Sequence, residues 1–194
     1  MATIILTGDV NLMNVDDPTV PFSRMRQEFQ AADLVFSNLE CCLYNSPSGH
    51  TVETEGFFAS PIIGGEALRH AGIAAVGIAN NVNYGDAAIT ASIDRLDELG
   101  IAHTGAGTNV ATARAPIVME RNGLRYGFLQ RSSVYWPTNH EAGPNSTGIA
   151  VIRAHTAYQV PMHKTRSAMP PLNRPGIPPV IITWADPDYL RAVT

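Results

Sequence analysis

Short apolar runs alternate with amphipathic segments along the first 130 residues. Three continuous apolar runs are too short for helices, and each is followed by polar residues or glycine: 3–7, 34–38 and 74–78. Runs of this kind are typical of strands buried on both faces in α/β proteins. Three segments carry apolar residues at helical spacing: 22–32, 64–71 and 86–99. The alternation predicts parallel βα units.

The pattern changes after the last of these helices. A strand over 102–104 and a short helix over 109–114 are predicted, and the dipeptide Asn122-Gly123 then separates strands over 116–120 and 124–129. Asn-Gly between two apolar runs is a strong hairpin signal. Parallel units therefore pass into an antiparallel hairpin, which predicts a mixed sheet within an α/β fold.

The second part of the chain is rich in proline. Residues 130–179 hold eight of the 14 prolines and are predicted as a long excursion loop, interrupted by a strand over 148–153. A strand over 180–183 and the start of a helix over 188–194 follow.

The composition excludes several classes of protein. Hydrophobic residues make up 45% of the chain, and 13 basic against 17 acidic residues give a net charge of −4. A nucleic-acid partner is not expected, because such binders carry a clustered basic face. No apolar run approaches the roughly 20 residues of a membrane helix. The two cysteines, Cys41 and Cys42, are adjacent and predict a buried inert pair without a disulfide, so we expect a cytoplasmic protein.

Polar residues stand at the ends of three predicted strands. They are Asp9 after the first, Asn38 and Glu40 after the second, and Asn80 and Asn81 after the third. Parallel strands end at one edge of a sheet, and carboxylate and amide oxygens are ligands for hard divalent cations. The alternative is structural: a turn at Asp9, helix caps at Asn38 and Asn81, and a solvated Glu40.

The order of these motifs resembles a known family. They are Gly8-Asp9-Val10, the segment ADLVFSNLE at 32–40, Ala79-Asn80-Asn81, Gly105-Ala106-Gly107, and the segments 113–116 and 123–129. Together they are similar to the CapA family of capsule, or poly-γ-glutamate, synthesis proteins, which is related to the calcineurin-like metallophosphoesterases. The resemblance covers roughly residues 3–133 and the strand at 180–183.

The resemblance implies an α/β/β/α sandwich around a two-metal site that uses divalent cations such as Mn, Fe, Zn or Mg. It implies Asp9, Glu40 and Asn81 as metal ligands, with Asn38 as a ligand or as a partner of one. The implied activity is hydrolysis of a phosphoester, or of a γ-glutamyl or related amide bond in a polymer. The implied partner is a polymeric or small-molecule substrate.

Two departures qualify this expectation. The family has Asn-Asn-His at its third motif, and here Val82 follows Asn80-Asn81, so the implied acid is absent. The family's later histidine motifs are also absent before Thr194. We therefore expect residues 1–194 to be the N-terminal portion of one domain, incomplete at its C-terminus, with an exposed apolar face and poor activity when alone. A member that binds a polymer or partner without turnover is the alternative, and a nucleotide-binding module is a third.

The six histidines show no metal-binding spacing. We expect most of them to lie at the surface.

Overall fold

The structure is a computed structural model that describes residues 2–46, 57–83, 85–135, 140–159 and 180–191. Contacts divide the chain into two compact units, Met1–Val151 and Ile152–Thr194. The strands of the first unit are β1 (Ile4–Val10), β2 (Leu34–Leu39), β3 (Cys42–Leu43), β4 (Phe58–Ala59), β5 (Ala75–Gly77), β6 (Ala102–Thr104), β7 (Ala106–Gly107), β8 (Ile117–Arg121), β9 (Leu124–Phe128) and β10 (Gly148–Ile149). Its helices are α1 (Arg26–Ala31), α2 (Pro61–Ala71), α3 (Asp86–Glu98) and α4 (Val110–Arg114).

A four-stranded parallel sheet organises the first unit. Its order is β1-β2-β5-β6, and every neighbouring pair is parallel. Within the described residues, the first unit also contains the parallel pair β3-β4 and the antiparallel pairs β7-β10 and β8-β9. The α/β fold class expected from the sequence is confirmed. Among the described residues, the strands of the predicted hairpin, β8 and β9, pair only with each other. The ring of Phe128 in β9 stacks on that of Phe36 in the parallel sheet, with the ring centroids 4.9 Å apart.

The buried core of the first unit includes residues of the parallel sheet and of the helices. The central strands β2 and β5 are mostly buried, as their apolar runs predict. Helix α3 buries Ile89 and Leu96, which belong to its predicted apolar stripe. The expectation of burial on both faces is wrong for β1, because this strand lies at the edge of the described sheet and the side chain of Leu6 is 69% exposed.

Several element boundaries differ from prediction. Strand β1 runs past the predicted 3–7 to Val10, across a register irregularity between Leu6 and Asp9. Asp9 therefore lies within the strand rather than after it. Helix α1 begins only at Arg26, because residues 19–25 form turns, so Met25 is exposed instead of joining an apolar stripe. Helix α2 begins at Pro61 because Ser60 caps it by accepting the Ile63 N–H.

The predicted strand over 148–153 is shorter in the structure. Only Gly148–Ile149 forms a ladder, antiparallel to β7, and Val151 adds a single bridge. Most histidines were expected at the surface: among the described ones, His155 is exposed, His70 and His103 are half-buried, and His140 is fully buried. His50 and His163 lie outside the described residues.

The second unit contains an antiparallel pair and a short helix. Its elements are β11 (Ala154–Gln159), β12 (Val180–Ala185) and α5 (Pro187–Arg191). The sequence predicted β12 and the start of a helix near α5, but β11 lies inside the predicted excursion loop. Large apolar side chains are exposed here, among them Tyr158, Ile181 and Trp184. Residues 160–179, most of the proline-rich stretch, lie outside the described residues.

Candidate functional site

The carboxyl edge of the parallel sheet brings Asp9 and Asn38 together. The two residues are opposite each other in the register of β1 and β2. The Asn38 Nδ2 donates to Asp9 Oδ1 at 2.6 Å. Asp9 is exposed and Asn38 is half-buried, so the carboxylate faces solvent while the amide behind it is sheltered.

Glu40 adds a second carboxylate beside Asp9. It follows β2, and its backbone N–H donates to the carbonyl oxygen of Val10, which extends the pairing of the two strands by one residue. Burial and the nearby negative charge of Asp9 raise the pKa of the Glu40 carboxyl. Two carboxylates that repel each other in this way are stabilised when a cation lies between them.

The turn after β5 contributes amides. Asn80 is buried, and its Nδ2 donates to the Leu39 carbonyl at 2.7 Å and to Asn38 Oδ1 at 3.4 Å. Its Oδ1 accepts the N–H groups of Val82 and Asn83. Asn80 therefore fixes this turn against the end of β2.

Asn81 and Val82 differ in their surroundings. Asn81 is exposed at the same turn, directly after Asn80. Val82 is only 5% exposed, and its carbonyl oxygen lies 3.9 Å from the Cys42 sulfur. The residue at the position of the family's histidine is thus packed into the core.

Only some of the predicted site residues contact each other in the described part of the chain. Asp9 and Asn38 share a hydrogen bond, and Glu40 is close enough for Asp9 to shift its pKa. Asn80, rather than Asn81, makes the amide contact with Asn38. The metal-ligand roles of Asp9, Asn38, Glu40 and Asn81 stay predictions.

Sequence reasoning missed Gln130. It lies two residues beyond β9, its Oε1 accepts the Ala79 N–H at 2.7 Å, and its Nε2 donates to Asn38 Oδ1 at 2.7 Å. Its only sequence signal is its position directly after an apolar strand, at the end of the segment that resembles the family.

Two thiols, those of Cys41 and Cys42, are buried beside the site. Burial raises the pKa of the Cys41 thiol to about 12, so it stays protonated at neutral pH. The Cys42 thiol donates to Asn83 Oδ1 at 3.5 Å. Both cysteines are buried and no disulfide joins them, as expected from the sequence.

His140 also lies near the turn after β5. It hydrogen-bonds to the backbone of Asn83, and burial lowers the pKa of its imidazole. At neutral pH it is therefore uncharged and part of the packing that supports this turn.

A comparison with models of protein families shows which family this chain belongs to. A family model described as bacterial capsule synthesis protein PGA_cap matches residues 3–171. The chain belongs to this capsule synthesis family. The resemblance to CapA proteins is thereby confirmed, and none of the curated proteins compared with the chain matches it.

The donors of this capsule synthesis family member fit a hard divalent cation. Asp9 and Glu40 supply carboxylate oxygens, and the nearby amides supply neutral polar groups, which suits Mg²⁺ or Mn²⁺. Within the described ranges, no three His, Cys, Asp or Glu side chains gather as metal ligands.

None of the helices in the described part of the chain has the length and hydrophobicity needed to cross a bilayer.

Proposed function

We propose that this protein is a metal-dependent hydrolase in capsule or poly-γ-glutamate metabolism. Its substrate class is a phosphoester, or a γ-glutamyl or related amide bond of a polymer or a small molecule. The observation that carries the proposal is the position of two carboxylates at one sheet edge: Asp9 lies near the end of β1, and Glu40 directly follows the paired strand β2. Membership of the capsule synthesis family supports the metabolic setting.

The roles of the residues follow from their surroundings. Asp9 is exposed and can bind a cation directly, and Glu40 adds a second charge at the same edge. Asp9 and Glu40 would hold a divalent cation there, which would supply polarisation of a phosphoryl or carbonyl oxygen and a lowered pKa of a bound water. We propose Mn, Fe, Zn or Mg as the metal, with Asn81 as a further ligand and with a second cation as the family resemblance implies. A cytoplasmic location without a nucleic-acid partner belongs to the same proposal.

A second candidate is a member that binds a polymer or partner without turnover. Val82 favours it, because a buried valine cannot donate a proton where the family's histidine is expected. The nearby His140 does not replace that histidine, since its side chain is fully buried and cannot contact a substrate in this structure. The two candidates share the cation site and differ in catalysis.

Calorimetry with Mn²⁺ and hydrolysis assays test both candidates. Asp9→Ala is expected to weaken Mn²⁺ binding by at least about tenfold, because it removes a charged ligand. The exposed Asp94 of α3 provides the matched control Asp94→Ala, which leaves binding unchanged.

The hydrolysis assays use p-nitrophenyl phosphate, bis-p-nitrophenyl phosphate and γ-glutamyl p-nitroanilide. Slow Mn²⁺-dependent turnover that is lost in Asp9→Ala supports the hydrolase. Binding without turnover of any of these substrates supports the second candidate. Wild-type protein that binds no Mn²⁺ contradicts the cation site itself.

A further inference from the structure

Three side-chain amides, those of Gln130, Asn38 and Asn80, link separate parts of the carboxyl edge by hydrogen bonds. A backbone N–H group determines the orientation of the Gln130 amide. The Ala79 N–H points at the side chain of Gln130 at 2.7 Å. A backbone N–H can only donate, so the amide atom that faces it has to be the oxygen. The orientation of the Gln130 amide is therefore determined by the main chain.

This orientation determines that of Asn38. With its oxygen turned to Ala79, Gln130 presents its Nε2 to Asn38 and donates to Oδ1 at 2.7 Å. The Asn80 Nδ2 approaches the same oxygen at 3.4 Å. Because donors occupy the oxygen side of Asn38, its Nδ2 faces the other way and donates to Asp9 at 2.6 Å.

Gly77 provides the space that Gln130 needs. It lies opposite Asn38 in the register of β2 and β5. A Cβ at this position would lie 2.4 Å from Gln130 Oε1 and 2.5 Å from its Cδ, which is closer than real atoms approach. The arrangement of Gln130 thus depends on a glycine in a different strand.

We propose that Gln130 is a positioning residue that orients the amide of Asn38, so that Asn38 holds Asp9 by donating to it and offers no oxygen to a cation. Asn38 is then a partner of the ligand Asp9 and not itself a ligand. The orientation of the amides holds without any cation, and only the role of Asp9 as a ligand rests on the proposed function. The experiment therefore has one arm without metal and one with it.

The first arm is NMR of side-chain amides in the metal-free protein. In the wild type, the Asn38 Nδ2 protons are expected to be displaced from ordinary asparagine shifts and to exchange slowly with water, since one donates to a carboxylate. Gln130→Met removes the hydrogen bonds to Ala79 and Asn38 but keeps a side chain of similar size. It is expected to return the Asn38 signals toward ordinary values. Gln27→Met, at an exposed position of α1, is the matched control and leaves them unchanged.

A second variant acts on Gln130 without replacing it. Gly77→Ala is expected to push the Gln130 side chain away and to change the Asn38 signals in the same way as Gln130→Met. Asn38 signals that are unchanged in both variants overturn the proposal. If neither variant folds, the wild type still decides, because ordinary shifts and fast exchange of the Asn38 amide overturn it as well.

The second arm is Mn²⁺ titration by calorimetry. Gln130→Met is expected to weaken binding by about 10–100-fold, the usual cost of losing a residue that orients a ligand. Tighter binding in this variant would mean that a released Asn38 oxygen reaches the cation, which overturns the positioning role. If Asp9→Ala leaves Mn²⁺ binding intact while the amide signals respond to Gln130, the proposed function fails and the orientation of Asn38 stands.

Discussion

Glu40 is the residue whose ionisation opposes the folded state at this edge. Burial and the charge of Asp9 raise the pKa of its carboxyl above the ordinary value of 4.5. The folded chain therefore binds a proton at Glu40 more tightly than the unfolded chain does. Its stability falls as the pH rises from 4.5 through the raised pKa, and above that pKa the full penalty applies.

Glu40→Gln is expected to remove this penalty. The variant should be more stable than the wild type at pH 7, and the difference should vanish at a pH below 4.5, as measured by urea denaturation across this range without divalent cations. Glu120→Gln, at an exposed position of β8, should change the free energy of unfolding by less than about 0.5 kcal/mol. A stability difference for Glu40→Gln that is the same at every pH would contradict the burial and repulsion assigned to this carboxyl.

Gly105 shows how a single backbone position supports the site. Its φ is +99°, and a Cβ there would lie 2.7 Å from the Cβ and 2.8 Å from the N of Ala79, the residue that precedes Asn80. Gly105→Ala is expected to lower the free energy of unfolding by about 2–5 kcal/mol, since backbone strain and overpacking add. Chemical denaturation measures the loss.

Gly123 offers the matched comparison for Gly105. It also has a positive φ, +73°, but nothing lies within 4 Å of a Cβ added there. Gly123→Ala should therefore lower the free energy of unfolding by only about 1–2 kcal/mol, the cost of a left-handed backbone conformation for a residue with a Cβ. Equal losses at the two glycines would show that the contact with Ala79 is not a constraint.

At the scale of elements, a buried serine joins α3 to β3. The N–H groups of Cys42 and Tyr44 donate to the carbonyl oxygens of Phe57 and Ala59, at and next to β4. The N–H of Leu43, which lies between them, donates to Ser92 Oγ at 2.9 Å. The Ser92 hydroxyl in turn donates to the Ala88 carbonyl. The serine thereby satisfies the one main-chain donor of β3 that faces the helix.

Ser92→Ala is expected to leave the Leu43 N–H buried without an acceptor. The expected loss in the free energy of unfolding is about 1–3 kcal/mol, the cost of an unsatisfied buried donor. Ser23→Ala removes an exposed hydroxyl that also donates to a main-chain carbonyl, and it should cost less than about 0.5 kcal/mol. Thermal and urea unfolding measure both variants, and a neutral Ser92→Ala would mean that another group accepts from Leu43.

Elements with strong local signals were predictable from the sequence. The hairpin β8-β9 turns at Asn122 and Gly123, which have φ values of 54° and 73° as such a turn requires, and α3 matches its apolar period almost to the residue. Elements whose formation depends on tertiary packing were not predicted correctly. The helical spacing over 22–32 predicted a longer helix than α1, and β11, which was not predicted, pairs with β12 from beyond residue 179.

The site follows the same division. The shared edge of Asp9, Asn38 and Glu40 was predictable, because each lies near the carboxyl end of an apolar strand or directly after it, and parallel strands end together. Gln130 was not, because its contact with Asn38 spans 92 positions of the sequence and depends on the absence of a side chain at Gly77. The periodicity of apolar residues predicts which face of a strand or helix is buried, but it does not predict which side-chain amides form hydrogen bonds with each other.

At the scale of the whole molecule, the proposed cation links the site to stability. Two carboxylates at one edge repel each other in the free protein, and a cation that binds only the folded chain relieves this repulsion. A ligand at 100 times its dissociation constant adds about 2.7 kcal/mol to the free energy of unfolding. For a chain of this size that corresponds to a rise in Tm of about 5–10 °C.

We therefore expect Mn²⁺ to raise the Tm of the wild-type protein by this amount, and excess EDTA to reverse the rise. Asp9→Ala should abolish the dependence on Mn²⁺, because the ligand is gone, while Asp94→Ala on the exposed face of α3 should keep it. Scanning calorimetry over a series of Mn²⁺ concentrations measures the effect, and the series yields the affinity independently of any activity. A rise in Tm of equal size in Asp9→Ala would show that the cation binds elsewhere on the chain, and the carboxyl edge would then lose its role as the metal site.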